Sequence, residues 1–309
     1  MDQVERQHKA IAAKRTRVAS KWGRALPGTG LGVIAISLGL ALTTPASTQT
    51  TRQKFIYWAN YGGTIGRAWL DGTHIQARFI AKAGTNPCGI AVTSKSIYWA
   101  SSGGGAIGRA NINGTHVEPR FIHLPTAGNY ACGVAVDARH IYWADEGLGA
   151  IGRANLNGSA VDLYLIRDIE VNGVAVDKRH LYWGHFAVAG IDRTIGRANL
   201  DGTNADPNFI SGASNPGMVT VGAGHLYWAN GGPGGKGTTI GSAALTGANV
   251  NERFLEAPGG SGLTVDKGHL YWTSGLTGAG TIGRADLNGS HANPRFIHGA
   301  DEPYGVAVG

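Results

Sequence analysis

The dipeptide Tyr-Trp occurs six times, at Tyr57-Trp58, Tyr98-Trp99, Tyr142-Trp143, Tyr182-Trp183, Tyr227-Trp228 and Tyr271-Trp272, at intervals of 41, 44, 40, 45 and 44 residues. A period of this length marks an array of like structural units, each too small to bury its own apolar surface. The rest of the period recurs in register. Ile-Gly follows each pair and leads to Arg67, Arg109, Arg153, Arg197, Ser242 and Arg284. A turn dipeptide comes next, at Asp71-Gly72, Asn113-Gly114, Asn157-Gly158, Asp201-Gly202, Thr246-Gly247 and Asn288-Gly289. Asn-Gly and Asp-Gly accept positive φ at both central positions of a tight hairpin. A short apolar run such as "RFI" follows, and then a Gly-led run such as "GVAV" at Gly133–Val136, Gly173–Val176 and Gly305–Val308.

Each period therefore holds four short β-type runs separated by turns. A four-stranded sheet of this size has two apolar faces and cannot cover both by itself; packing such sheets radially covers both, which makes a propeller blade the natural unit. A parallel β-helix has shorter rungs, and a helical solenoid needs a helical hydrophobic period that is absent. The 50 glycines among 309 residues and the 15% charged content agree with short strands and tight turns. The chain ends add a check. The first period starts at "FIYW" without a Gly-led run, and the last residues, "YGVAVG", supply one. The sequence thus predicts an all-β, six-bladed propeller of four-stranded blades over 55–309, with the C-terminal strand completing the N-terminal blade.

The combination "IYWA…TIGRANLDGT…GVAV" resembles the YWTD repeats of low-density lipoprotein receptors and similar repeats in exported bacterial proteins. The resemblance covers residues 55–309. It implies that "GVAV" is the innermost strand of each blade, "IYW" the second, "IGRA" the third and "RFI" the outermost. It also implies an extracellular binding or scaffold module that holds a protein partner on one face of the disc. The chain departs from the family at the "TD" of the motif, which reads Ala59-Asn60, Ala100-Ser101, Ala144-Asp145, Gly184-His185, Ala229-Asn230 and Thr273-Ser274. Only Asp145 keeps the acid, and the cysteine-rich modules that flank receptor propellers are missing.

The sequence pI of about 9.5 raises the question of a nucleic-acid partner. Nine of the 27 basic residues but only two of the 20 acidic ones lie in 1–54, which leaves eighteen of each sign for 55–309. The body is formally neutral, so no nucleic-acid partner is expected. The basic start, the apolar stretch "GLGVIAISLGLAL" (Gly30–Leu42) and the small-residue run after it read as a signal peptide over 1–46, with 47–54 as a linker. The apolar core is short for a membrane span. The long basic region leaves an uncleaved anchor as the alternative, and only then is a membrane partner expected. The expected protein is a secreted or extracytoplasmic monomer, or a cell-surface one if the signal is retained. Cys88 and Cys132 each precede a Gly-led run, one period apart; the sequence admits a disulfide between them or two buried thiols.

Alternation along "IYWA" sends Tyr and Trp to opposite faces of a sheet packed on both sides, so these aromatics read as inter-blade packing. His140, His180, His225 and His269 share a slot beside the first hairpin turn, filled by Ser96 and Phe55 elsewhere, and read as turn-supporting. The loops between second and third strands are mostly Gly-rich. The exceptions are Asp145 and Glu146 in the third, His185, Phe186, Asp192 and Arg193 in the fourth, and Lys236 in the fifth. These are the candidate ligand-binding residues, for a protein or glycan, since loops on a rigid scaffold carry sites. No nucleophile–base pair or metal-ligand spacing is legible, so neither catalytic residues nor a resident cofactor are expected. The competing reading is a metal-dependent hydrolase or lyase holding calcium above the central channel. Counting Cys88, Cys132, Asn172, Pro216, Ser261 and Tyr304 as the residues before the inner strands, its ligands would be Glu170, Asn172 and Glu302.

Overall fold

A computed structural model describes residues 53–125, 130–167, 169–185, 194–231, 238–275 and 280–309. Among them 24 strands form six antiparallel four-stranded sheets, with no helix. The inner strands are β24 (Pro303–Val308), β4 (Pro87–Val92), β8 (Ala131–Val136), β12 (Val174–Val176), β16 (Pro216–Gly222) and β20 (Gly260–Val265), for blades 1 to 6. The Tyr-Trp runs are the second strands: β1 (Phe55–Asn60), β5 (Ser96–Ser101), β9 (His140–Asp145), β13 (His180–His185), β17 (His225–Asn230) and β21 (His269–Ser274). The third strands are β2 (Thr64–Trp69), β6 (Ala106–Asn111), β10 (Ala150–Asn155), β14 (Thr194–Asn199), β18 (Thr239–Ala244) and β22 (Thr281–Asp286). The outer strands are β3 (Gln76–Ile80), β7 (Glu118–His123), β11 (Asp162–Ile166), β15 (Asp206–Ser211), β19 (Asn251–Glu256) and β23 (Asn293–His298). The protein is a six-bladed all-β propeller.

Blade 1 is built from both ends of this region. Its order is β24-β1-β2-β3, with Val308 opposite Ile56 and Val306 opposite Trp58. Phe55 and Gly309 exchange both backbone hydrogen bonds, at 2.9 and 3.0 Å. The seam of the ring is thus an ordinary antiparallel ladder.

The Tyr-Trp alternation is the packing code. Every core between blades joins the Tyr of one blade to the Trp of the next: Tyr57 with Trp99, Tyr98 with Trp143, Tyr142 with Trp183, Tyr182 with Trp228, Tyr227 with Trp272 and, across the seam, Tyr271 with Trp58. None of the six indoles is more than 1% exposed. At about 25 cal/mol per Å² and roughly 150–250 Å² per ring, each contributes on the order of 4–6 kcal/mol before ordering costs. The Gly of each "IG" pair lies opposite the Trp of its own blade, as Gly66 does Trp58, and a Cβ there would overlap the indole. Residue type and register are thus set together, because only Gly lets the ring lie flat on the third strand.

One count is corrected by the register. Val219 faces Trp228 as Ile90 faces Trp99, so Gly217, and not Pro216, takes the slot of Cys88, and Met218 takes the slot that is Gly in the other five blades. Blade 5 carries one more residue in its apolar run, which hides the offset in the sequence. The inner strands surround a central channel of about 170 Å³ lined by residues such as Ile90, Val134, Val174, Val219, Leu263 and Val306.

Candidate functional site

The upper face is the one that carries the loops between second and third strands. The first residue of such a loop donates its backbone N–H to a residue leading into the inner strand: Tyr61 to Glu302, Ser102 to Asn86, Glu146 to Tyr130 and Gly231 to Asn215. The loops and the lead-in residues therefore share one surface around the channel mouth.

That mouth is closed by apolar side chains. Cys88 and Cys132 are joined in a disulfide between blades 2 and 3, with their Cα atoms 5.1 Å apart. The two cysteines and Met218 form one buried cluster, and Tyr304 packs against it. Met218 reaches this cluster because it replaces the slot's glycine. Above the cluster, the Tyr61 and Tyr304 rings lie 6.2 Å apart. Tyr61 is 44% and Tyr130 58% exposed, so two large aromatic surfaces face solvent beside the sealed mouth.

Blades 3 and 4 supply the polar part. Asp145 ends β9 fully buried; its Oδ1 accepts from the Leu148 N–H at 3.1 Å, while Oδ2 has no partner among the described residues. Burial pushes its carboxyl above the usual carboxylate range, against the backbone N–H groups that lower it. At the rim, desolvation likewise raises Glu146; the Asn172 side chain, hydrogen-bonded to it, opposes the shift and the neighbouring Asp145 adds to it. Asn172 is itself buried, on the lead-in to β12. Glu170, two residues earlier, is half-buried with one carboxylate oxygen enclosed and unpartnered.

The fold thus brings Asp145 and Glu146 together with Asn172, two sets that the sequence kept apart. It holds Glu302 on the lead-in to blade 1, diametrically across the ring from blade 4, exposed and with φ of 50°. His185 is tied within its own blade, its Nδ1 3.2 Å from Thr194 Oγ1, which donates to the Pro207 carbonyl at 2.7 Å. Phe186, Asp192, Arg193 and Lys236 lie outside the described residues. Among the described residues no three His, Cys, Asp or Glu side chains converge as a metal requires. The polar side chains that the structure groups here are those of Asp145, Glu146 and Asn172.

The recurrent histidines are on the opposite, lower face. His140, His180 and His269 lie 3.5, 3.7 and 3.6 Å from the carboxylates of Asp137, Asp177 and Asp266, three residues earlier in the same turn. His225 instead has its Nδ1 3.2 Å from the Ala223 carbonyl. These are turn positions, as their sequence context suggests.

Sequence reasoning missed Tyr61, Tyr130 and Met218. Tyr61 sits in a loop that reads as featureless, "NYGG", and Tyr130 precedes an inner strand as Glu170 does. Aligning lead-in residues by their distance from each Trp would have found the last two.

No protein-family model matches the chain, and no curated relative does. Solved structures do match its fold. A structure of a nidogen/laminin complex contains a chain 21% identical, covering 82% of this chain and 98% of that one, with a TM-score of 0.68. A gluconolactonase from Xanthomonas campestris is 21% identical over 71% of this chain and 79% of its own, at 0.54. A streptogramin B lyase is 18% identical over 71% and 72%, at 0.51. These likenesses are to the propeller fold, and they span binding proteins and enzymes alike.

Proposed function

We propose that this propeller is an exported binding module of the YWTD type, which recognises a protein or glycan on its upper face without chemistry. The observation that carries this reading is the channel mouth. Where a metal-dependent propeller gathers carboxylates on the axis, this one places a disulfide, a methionine and a tyrosine, with two exposed tyrosines beside them. A sealed, aromatic and partly acidic surface suits recognition: tyrosines give large contact area at small entropic cost, and a charged rim steers and orients. The candidate loop residues Phe186, Asp192, Arg193 and Lys236 belong to this same proposal, as do Glu146 and His185. Export is supported by the basic–apolar start of the chain and by a disulfide, which suits an oxidising compartment.

The test is a binding screen against an immobilised glycan panel and purified secreted proteins, run with wild type, a Tyr61→Ala/Tyr130→Ala double variant, and Phe186→Ala and Arg193→Ala. A ligand held by wild type is expected to bind the double variant at least tenfold more weakly, and to lose affinity for the two loop variants. Equal retention by all four proteins would place recognition elsewhere.

A second reading is favoured by one specific observation, the buried Asp145 oxygen that has no partner among the described residues, grouped with Asn172. In that case these groups and Glu146 hold calcium for a hydrolase or lyase. Melting curves with calcium and with chelator separate the readings: no difference is expected for the binding module, and a rise of several degrees in calcium for the enzyme.

A further inference from the structure

The lower face carries clefts between neighbouring blades, and the one between blades 3 and 4 lacks the repeat's outer-strand phenylalanine. In blades 1, 2, 4 and 6 the third-strand arginine lies over the outer-strand phenylalanine: Arg67 on Phe79, Arg109 on Phe121, Arg197 on Phe209 and Arg284 on Phe296, at 3.7–4.0 Å from the ring centres. Each of those rings also contacts the turn glycine of the next blade, as Phe79 does Gly114 and Phe121 does Gly158. Blade 3 breaks the pattern. Leu165 occupies the phenylalanine slot and meets Gly202 of blade 4 with a smaller side chain. Arg153, with no ring beneath it, reaches across to blade 4, where its Nη1 donates to the Leu200 carbonyl at 3.2 Å.

The clefts also differ in size. The volume is about 440 Å³ between blades 1 and 2 and about 520 Å³ between blades 2 and 3, but about 750 Å³ between blades 3 and 4. The polar lining of this last cleft is unbalanced in what it has left to give. The acids are engaged in their own turns. Asp137 accepts from the N–H groups of Arg139 and His140 at 2.6 Å and from the Tyr142 hydroxyl at 3.0 Å. Asp177 is held the same way by Arg179, His180 and Tyr182, and Asp201 by the N–H and hydroxyl of Thr203. The cations Arg139, Arg153 and Lys178 line the same cleft, and none of them forms a salt bridge among the described residues. The three carboxylates are each held by their own turn, while Arg153 spends one N–H on the Leu200 carbonyl and Arg139 and Lys178 are exposed at the cleft edge, so cationic donors remain to meet an anion. Val136, Val176 and Leu200 add an apolar wall.

We propose that this cleft binds a small organic anion, a carboxylate or phosphate ester, with Arg153 holding the charged group and Lys178 facing it. The site is independent of the upper-face reading and lies on the other side of the disc. It lies beside the blade in which Leu165 takes the slot of the repeat's phenylalanine.

The probes are inorganic phosphate and benzoate, titrated by calorimetry or amide shifts against chloride at matched ionic strength. The expected result is saturable binding of at least one probe above the chloride control, with perturbed amides around 137–142 and 176–178. Phosphate and benzoate arms assign the headgroup. Arg153→Gln, a change at a half-buried position that leaves the core untouched, is expected to weaken binding at least tenfold. Leu165→Phe rebuilds the ring that four other blades use to hold their arginine, so it is expected to abolish binding while raising the melting temperature. Failure of both probes to exceed chloride, or an affinity within tenfold of wild type in either variant, would overturn the proposal.

Discussion

Asp145 sits in a slot that two other blades fill with asparagine, and the comparison sets its energetics. Asn60 donates its amide to Thr64 Oγ1 at 2.8 Å and to the Ala77 carbonyl of the outer strand at 2.9 Å; Asn230 does the same to Thr239 and Glu252 at 2.9 and 2.6 Å. In blade 3 the register puts Leu163 at the carbonyl position and Ala150 at the threonine position. An ionised Asp145 has no hydrogen to give there, and its Oδ2 is buried without a partner among the described residues. Asp145→Asn supplies the missing donor and is expected to stabilise the protein at pH 7 by about 1–3 kcal/mol, the usual cost of an unsatisfied buried group. The sign follows from linkage. Burial raises the folded pKa above the ordinary 3.8, so the wild-type side chain is tolerated best when protonated and becomes a penalty as pH rises through the folded value. The gap between variant and wild type is therefore expected to be widest at neutral pH and to shrink toward pH 4. Denaturant unfolding of both proteins at pH 4, 5.5 and 7 checks it; a gap that is negative or flat with pH rules the account out. This part of the site was legible as an unusual acid in the repeat. Its proximity to Asn172 was not, because contacts between blades depend on where each loop folds and not on spacing along the chain.

At the level of elements, the repeat states nearly everything. The six Tyr-Trp runs and the turn dipeptides specified the strands and the packing faces, the resemblance to YWTD repeats implied the strand order, and the glycine opposite each indole emerges from the register. Where the sequence misled, at Pro216, the cause was one added residue in a Gly-led run: "GMVTV" and "GVAV" align equally well by eye, and only pairing with Trp228 decides between them. Tyr61, in a loop that the repeat leaves unconstrained, carries no periodic signal, whereas Tyr130 shows only when lead-in residues are aligned on each Trp. The glycine opposite each Trp makes a sharp test of the packing code. Gly108→Ala adds a methyl group where the Trp99 indole already lies, with both residues fully inside the blade 1–2 core. Overpacking of this kind costs about 1–3 kcal/mol or more, because the ring has no empty space to move into. A comparable change at Gly212, where a Cβ meets nothing within 4 Å but φ is 80°, separates steric overlap from backbone strain. Gly108→Ala is expected to lower the melting point with a blue- or red-shifted Trp emission, and Gly212→Ala to lower it with emission unchanged. Equal spectra in both variants would mean that the indole does not depend on the glycine.

Residues 53–309 form a ring that closes through its last seven residues. β24 is the inner strand of blade 1, and it also packs against the inner strands on either side: a Cβ on Gly305 would overlap the Cys88 carbonyl of blade 2, and one on Gly262 of blade 6 would overlap the Tyr304 carbonyl. Removing 303–309 therefore does three things at once. It leaves the β1 edge, from Ile56 to Asn60, without the ladder it shares with Val308 to Pro303. It exposes the Trp58–Tyr271 core by taking away Val306 and Val308. And it opens the channel wall between blades 6 and 2. An unpaired edge of apolar residues is a template for pairing with another chain. The truncated protein is thus expected to be soluble only as dimers or larger species by light scattering, and to lose a single cooperative unfolding transition. A chain permuted to begin at Pro303, with Gly309 running directly into the Phe55 strand through a short Gly-Asn turn, keeps every contact of the closed ring and moves the break to the lead-in of blade 1. It is expected to stay monomeric and to melt within a few degrees of wild type. The truncated and permuted proteins distinguish the two roles the C-terminal strand could have. If the strand is the clasp, truncation fails and permutation succeeds; if the remaining 23 strands are sufficient, both remain monomeric and cooperative, and closure by the seam is not what stabilises the disc.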